Sequence, residues 1–169
     1  MPVPPNSHLA MMAADPAAEL TRTNAAGLIA RGLTRSFAAH GLVSLPEFTL
    51  RSGRRADLFC LDAKSRITIV EIKSSVEDFR TDRKWPDYLD YCDYFYFAVP
   101  ESFPQELIPT DQGLMVADGY GATVIRESGE FTLNAARRRA LVLQFAQLAA
   151  QRLQGLTDPD ALPGALESF

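Results

Sequence analysis

A chain of 169 residues, 47% of them apolar and 22% charged, is long enough for one domain that buries its own core without disulfide or metal staples. Its formal net charge of −4 argues against a protein that coats nucleic acid through overall basicity, although a local phosphate-binding face stays open because the field that matters is local. The two cysteines, Cys60 and Cys92, and the two histidines, His8 and His40, show no ligand spacing and argue against a structural zinc site.

In chain order, residues 1–23 are rich in Pro and Ala, lack the regions of a signal peptide, and read as a flexible leader. From Asn24 to His40, Leu28, Ile29, Leu33 and Phe37 recur at helical spacing, and Gly41 supplies a stop. A strand near PEFTL follows, then the turn RSGRR, a strand over 57–61 and another over 66–73. In the last of these Ile67 and Ile69 point to one face and Thr68, Val70 and Ile72 to the other, so it is a central strand covered on both sides. Ser74-Ser75-Val76-Glu77 has the form of a capping box opening a helix through DFRTDRKW, which Pro86 kinks or restarts through PDYLDY. YFYFAV is the next strand, and GLMVAD and ATVIRE form a hairpin around Gly119 and Gly121. A last helix spans about 134–153, with Leu141, Val142, Phe145, Leu148 and Ala149 inward and Gly155 as its stop. Residues 156–169 read as a flexible tail, leaving 24–155 as one α/β domain: a mixed sheet flanked by helices.

Cys60 and Cys92 sit in apolar or aromatic runs and read as reduced core thiols of a cytoplasmic protein. No run approaches the ~18 apolar residues of a membrane helix, so no membrane association is expected.

The strands over 57–61 and 66–73 carry charge where a buried sheet should be apolar. Period-two alternation puts Glu71 and Lys73 on one face, and hairpin pairing would bring Asp57 to the same end of the sheet. Two carboxylates, the backbone carbonyl of Ile72 and waters suit Mg²⁺ or Mn²⁺, with Lys73 orienting the attacking water or offsetting charge on the phosphate. The plain alternative is a solvated strand end or edge protection.

Asp57…Glu71-Ile72-Lys73, on consecutive strands before a helix, resembles the PD-(D/E)XK nuclease superfamily with its restriction-endonuclease-like core. More closely, GRRADLFCL, IVEIKSSVEDFRTDRKWPDYLDYCDYFYFAV and GLMVADGYGATVIRE…ARRRALVLQFAQLAAQRL resemble the bacterial MmcB-type DNA-repair family over residues 24–154. The resemblance implies repair linked to damage-induced mutagenesis and a metal-dependent nuclease centre, with Asp57 and Glu71 as metal ligands and Lys73 as the catalytic lysine. Glu47 matches an acidic position in such proteins and would complete the metal shell. Ala56 replaces the proline of the superfamily's name, and Ser75 stands where many branched-DNA nucleases carry glutamine.

Arg54 and Arg55, with Arg51 just before them, are expected to hold the DNA backbone at the mouth of the site, or else to be a solvated turn. Lys84, with Arg80 and Arg83, has the same two readings. Trp85 and Tyr88 either stack on an unpaired base or anchor the core, the latter favoured for Trp85. Arg137, Arg138 and Arg139 lie in the first turn of a helix, where the dipole disfavours cations, which points to an anionic partner or a solvated face. Two functions remain open at this stage: a DNA-cleaving enzyme, and a non-catalytic repair adaptor that binds DNA or other repair proteins. RNA in place of DNA is not separable by residues alone.

Overall fold

In the computed structural model of the protein, residues 16–161 are described, with side chains over 24–160. Helix α1 spans Pro16–Ala39, so part of the expected leader is helical; the rest of that leader and most of the expected tail lie outside the described residues. The early start has a local cause, since Pro pre-sets the φ of a first helical residue and Ala17, Ala18 and Glu19 favour the helix. α1 ends where Gly41 takes φ +77° and the Leu42 N–H returns to the Phe37 carbonyl at 2.9 Å.

Strands β1 (Val43–Thr49), β2 (Arg55–Leu61), β3 (Ile67–Ile72), β4 (Tyr94–Val99), β5 (Gly113–Ala117) and β6 (Ala122–Arg126) form one six-stranded sheet in sequence order. The β1–β2, β2–β3 and β5–β6 pairs are antiparallel, and the β3–β4 and β4–β5 pairs are parallel. β3 is buried along its whole length, as expected of a strand apolar on both faces.

Even-numbered β3 residues Val70 and Ile72 meet Ile29, Leu33 and Phe37 of α1. Gly32 lets α1 lie against the β5–β6 turn: a Cβ there would stand 1.9 Å from the Asp118 carbonyl oxygen. Odd-numbered Ile67 and Ile69 join Phe59, Phe95 and Phe97 under Leu141 and Phe145 of helix α3 (Ala135–Thr157). The same face carries the short helix α2 (Val76–Thr81) and a 3-10 helix over Trp85–Tyr91.

Three further helix boundaries differ from expectation. α2 stops at Thr81 instead of running to Trp85, because Asp82 turns its carboxylate onto the Lys84 N–H (2.8 Å) and the Lys73 ammonium (2.6 Å), and Pro86 then restarts the chain as the 3-10 helix. The cap is Ser75, whose hydroxyl accepts from the Asp78 N–H, one residue later than the Ser74–Glu77 box. α3 runs through Gly155 to Thr157, since an interior glycine costs a helix only ~1 kcal/mol.

Candidate active site

β2 and β3 pair from Leu61↔Ile67 to Leu58↔Val70, and there the ladder stops. The next two residues in register, Asp57 and Glu71, bridge the opening with their side chains. The Asp57 carboxylate accepts the Ile72 N–H at 2.8 Å, and the Glu71 carboxylate accepts the Asp57 N–H at 3.3 Å. β3 stays tied to β4 on its other side, where the Lys73 N–H reaches the Ala98 carbonyl at 2.9 Å. The fork therefore opens only between β2 and β3. Because N–H and C=O of one extended residue point the same way, the Ile72 carbonyl lies on the fork side of β3.

Lys73 fills the fork. Its ammonium is 2.6 Å from Asp82 and 3.6 Å from Glu71, and both Glu71 and Lys73 are only 4% exposed. Burial, then the charge of Asp57, pushes the Glu71 carboxyl up to about 8, against the pull of Lys73. Burial also raises Asp57, with the Ile72 N–H and Lys73 opposing it. For Lys73 burial acts downward, but the Asp82 hydrogen bond and the charge of Glu71 outweigh it and hold the ammonium above its ordinary value. Asp82 is lowered: burial raises it, and the Lys73 and Lys84 hydrogen bonds more than offset that. The Tyr88 hydroxyl, which donates to the Arg55 carbonyl at 2.9 Å, is pushed up by burial and by the nearby Glu71 and Asp57 charges. Among the described residues Lys73 is the one buried cation beside Asp57, Glu71 and Asp82, with Arg55 and Arg54 acting on Asp57 and Asp82 only from the exposed rim, so carboxylates outnumber ammonium in a poorly hydrated place.

Asp57, Glu71 and Lys73 are brought together as the alternation of the two strands requires. Glu47 is not brought to them. It adopts φ +51°, its carboxylate is exposed and lies 3.9 Å from Arg55, and Arg152 caps the carbonyls beside it. Among the described residues no group of three or more His, Cys, Asp or Glu side chains is arranged to hold a metal, so any ion here has at most the pair Asp57 and Glu71 as carboxylate ligands.

Of the residues expected to contact DNA, Arg54 pairs with Asp87 at 2.8 Å on the 3-10 helix, and Arg55 points to the exposed rim beside Glu47. The Lys84 side chain is exposed. Trp85, partly buried, stacks on Phe95 at 5.7 Å and meets Phe97 edge-on, and Tyr88 is buried, so both aromatic rings pack against the core. Arg137 and Arg138 are held from within the fold. Arg138 clamps Asp93, and Arg137 donates to the Asp90 carbonyl at 2.6 Å while lying over the Tyr91 ring.

The residue that sequence reasoning missed is Asp82. In the sequence it is one acid among the basic residues Arg80, Arg83 and Lys84, and nothing local shows that α2 carries it back to Lys73. The Asp82–Lys84 turn was the one available signal, since an acid bonding two residues on marks a helix end.

A family model described as "DNA repair protein MmcB-like" matches residues 13–160. The chain belongs to the MmcB-like DNA repair family. The MmcB-like fold is shared with the SPO1766 protein of unknown function from Silicibacter pomeroyi, at 45% identity and a TM-score of 0.78, over 82% of this chain and 94% of that one. No curated protein matches the chain. Family membership gives the MmcB-like chain a role in DNA repair, and its mixed sheet between helices is consistent with a restriction-endonuclease-like core. Among the described residues no helix is long and apolar enough to cross a membrane.

Proposed function

We propose that the fork between β2 and β3 is a metal-dependent nuclease centre that hydrolyses phosphodiester bonds in DNA during repair. The observation that carries this reading is the meeting of Asp57, Glu71 and Lys73 in one buried, negatively overcharged cluster at the end of two strands. Its donor set fits a hard divalent cation. Mg²⁺ needs only one or two carboxylates, completing its shell with carbonyls, waters and phosphate oxygens, and a dication would cancel the surplus charge.

Asp57 and Glu71, with the Ile72 carbonyl, would hold Mg²⁺ or Mn²⁺. When bound, the ion polarises a phosphate oxygen and lowers the pKa of a water. Lys73 cannot serve as a general base while Asp82 and Glu71 keep it protonated. Its role is to donate a hydrogen bond toward the scissile phosphate and stabilise the charge that builds there. Asp82 aims the ammonium, and Tyr88 and the Arg55 carbonyl close the floor of the cluster.

A second reading, a DNA-repair adaptor that binds without cutting, is favoured by one observation. Glu71 and Lys73 are nearly sealed from solvent, and Lys73 is already engaged by Asp82. Cleavage of labelled single-stranded, duplex and branched DNA with Mg²⁺ or Mn²⁺ separates the two. The nuclease reading expects cutting by wild type and a loss of at least ~100-fold in Asp57→Ala and Lys73→Ala. No cutting of any substrate, or equal cutting by both variants, leaves the adaptor.

A further inference from the structure

The 3-10 helix that floors the fork with Tyr88 lines a separate cavity with Tyr91. The two residues are a single turn apart, roughly 6 Å along the axis. The cavity holds about 340 Å³ and is walled by Arg51 from the β1–β2 turn, Tyr91, and Arg137, Ala140, Leu141 and Gln144 of α3. That volume falls within the ordinary range for a small organic ligand, roughly 300–1,000 Å³.

Its lining is chemically selective. Arg51 makes no hydrogen bond or ion pair among the described residues, so its guanidinium is available to an anion. Arg137 is fixed, lying 4.9 Å over the Tyr91 ring while donating to the Asp90 carbonyl, and so presents a held guanidinium plane. Such a plane stacks on a nucleobase as well as an aromatic ring does. Gln144 donates to the Thr49 carbonyl at 2.7 Å, which leaves its amide oxygen as an acceptor. Ala140 and Leu141 give an apolar floor with no competing charge.

We propose that this pocket seats one nucleotide of a single-stranded DNA segment next to the fork, its phosphate on Arg51 and its base against the Arg137–Tyr91 stack. A concave pocket takes a base only when it is splayed out, which duplex bases are not. The choice of DNA rests on the reading of the fork. The pocket's preference for an anionic ligand bearing a flat ring does not. It also accounts for how a chain of net charge −4 can grip nucleic acid, by one built subsite in place of a broad basic face.

The test is fluorescence anisotropy of a labelled thymidine dodecamer, read in chelator across a salt series. Arg51→Ala, in an exposed turn, is expected to weaken binding about tenfold and to reduce the slope of log K against log salt by about 0.7. Ala140→Phe, which fills the cavity without changing charge, is expected to weaken binding as much at an unchanged thermal midpoint. Arg31→Ala, on α1 across the sheet, is expected to bind as wild type does. The proposal is overturned if wild type fails to bind, or if Ala140→Phe binds normally, since Arg51 would then be only a surface charge. A protein that binds in this way yet never cuts DNA removes the nuclease reading and leaves the pocket standing.

Discussion

The two ends of β3 both bury carboxylates under the α2–α3 side of the sheet, and they treat them in opposite ways. At the Ile67 end, Asp93 accepts the Ile67 N–H at 2.7 Å and a two-pronged clamp from Arg138 at 2.5 and 2.6 Å, and Arg138 also donates to the Ser65 carbonyl. One buried anion meets a two-pronged cation, and both of its carboxylate oxygens are engaged. At the Ile72 end, Asp57, Glu71 and Asp82 share Lys73, and the carboxyls of Asp57 and Glu71 are raised where Asp93 is lowered. A balanced cluster stabilises a fold. An unbalanced one works against it, and clusters of that kind gather where a ligand supplies the missing charge. The contrast separates structural from functional charge within one sheet.

Breaking the balanced end should do the most damage. Arg138→Ala strands the nearly buried Asp93 carboxylate, and urea unfolding is expected to show a loss of about 3 kcal/mol. Because Asp93 is depressed in the folded state, its contribution is complete above the ordinary carboxylate value of 3.8 and fades as pH falls through the depressed one. The gap between wild type and Arg138→Ala should therefore narrow in strong acid; a gap that holds constant down to pH 2 would take Asp93 out of the account. On the nuclease reading, DNA cleavage by this variant should equal that of wild type at temperatures where it is folded.

The overcharged end should respond to a cation. Saturating Mg²⁺ is expected to raise the stability of wild type by about 2 kcal/mol and that of Asp57→Ala by almost nothing. A smaller effect, of the opposite sign to the usual core mutation, is expected of Glu71→Gln in chelator. Removing the charge should leave stability equal or raise it by ~1 kcal/mol. A carboxyl raised from 4.5 to about 8 destabilises the fold progressively as pH climbs between those values, so this gain should be absent at pH 4 and full near pH 8. A Glu71→Gln protein that is markedly less stable at pH 8 would mean that the fork is as balanced as the Asp93 end.

Much of the fork was legible in the residues because alternation is a strict geometric rule. Alternation alone puts Glu71 and Lys73 on one face, a hairpin of 57–61 with 66–73 can bring Asp57 to the same end, and the observed register places it opposite Glu71. The two-sided burial of β3, the β5–β6 hairpin and the face of α3 follow from periodicity in the same way. What stayed hidden depends on distant partners. Arg138 looked like a cation misplaced at a helix start, and its reason is Asp93, 45 residues earlier in the chain. Trp85 and Tyr88 had two readings, base stacking or core anchor, with the core favoured for Trp85, and their partners Phe95 and the Arg55 carbonyl are what place them. Asp82 is fixed by where α2 stops, which no spacing records.

The most direct test of the claim that the fork is a cation site is a Mn²⁺ titration followed by electron paramagnetic resonance, with wild type, Asp57→Ala and Arg138→Ala in parallel. Wild type and Arg138→Ala are predicted to take up one equivalent that Mg²⁺ displaces, and Asp57→Ala none. Equal uptake by Asp57→Ala and wild type, or no uptake by any of the three, would contradict it.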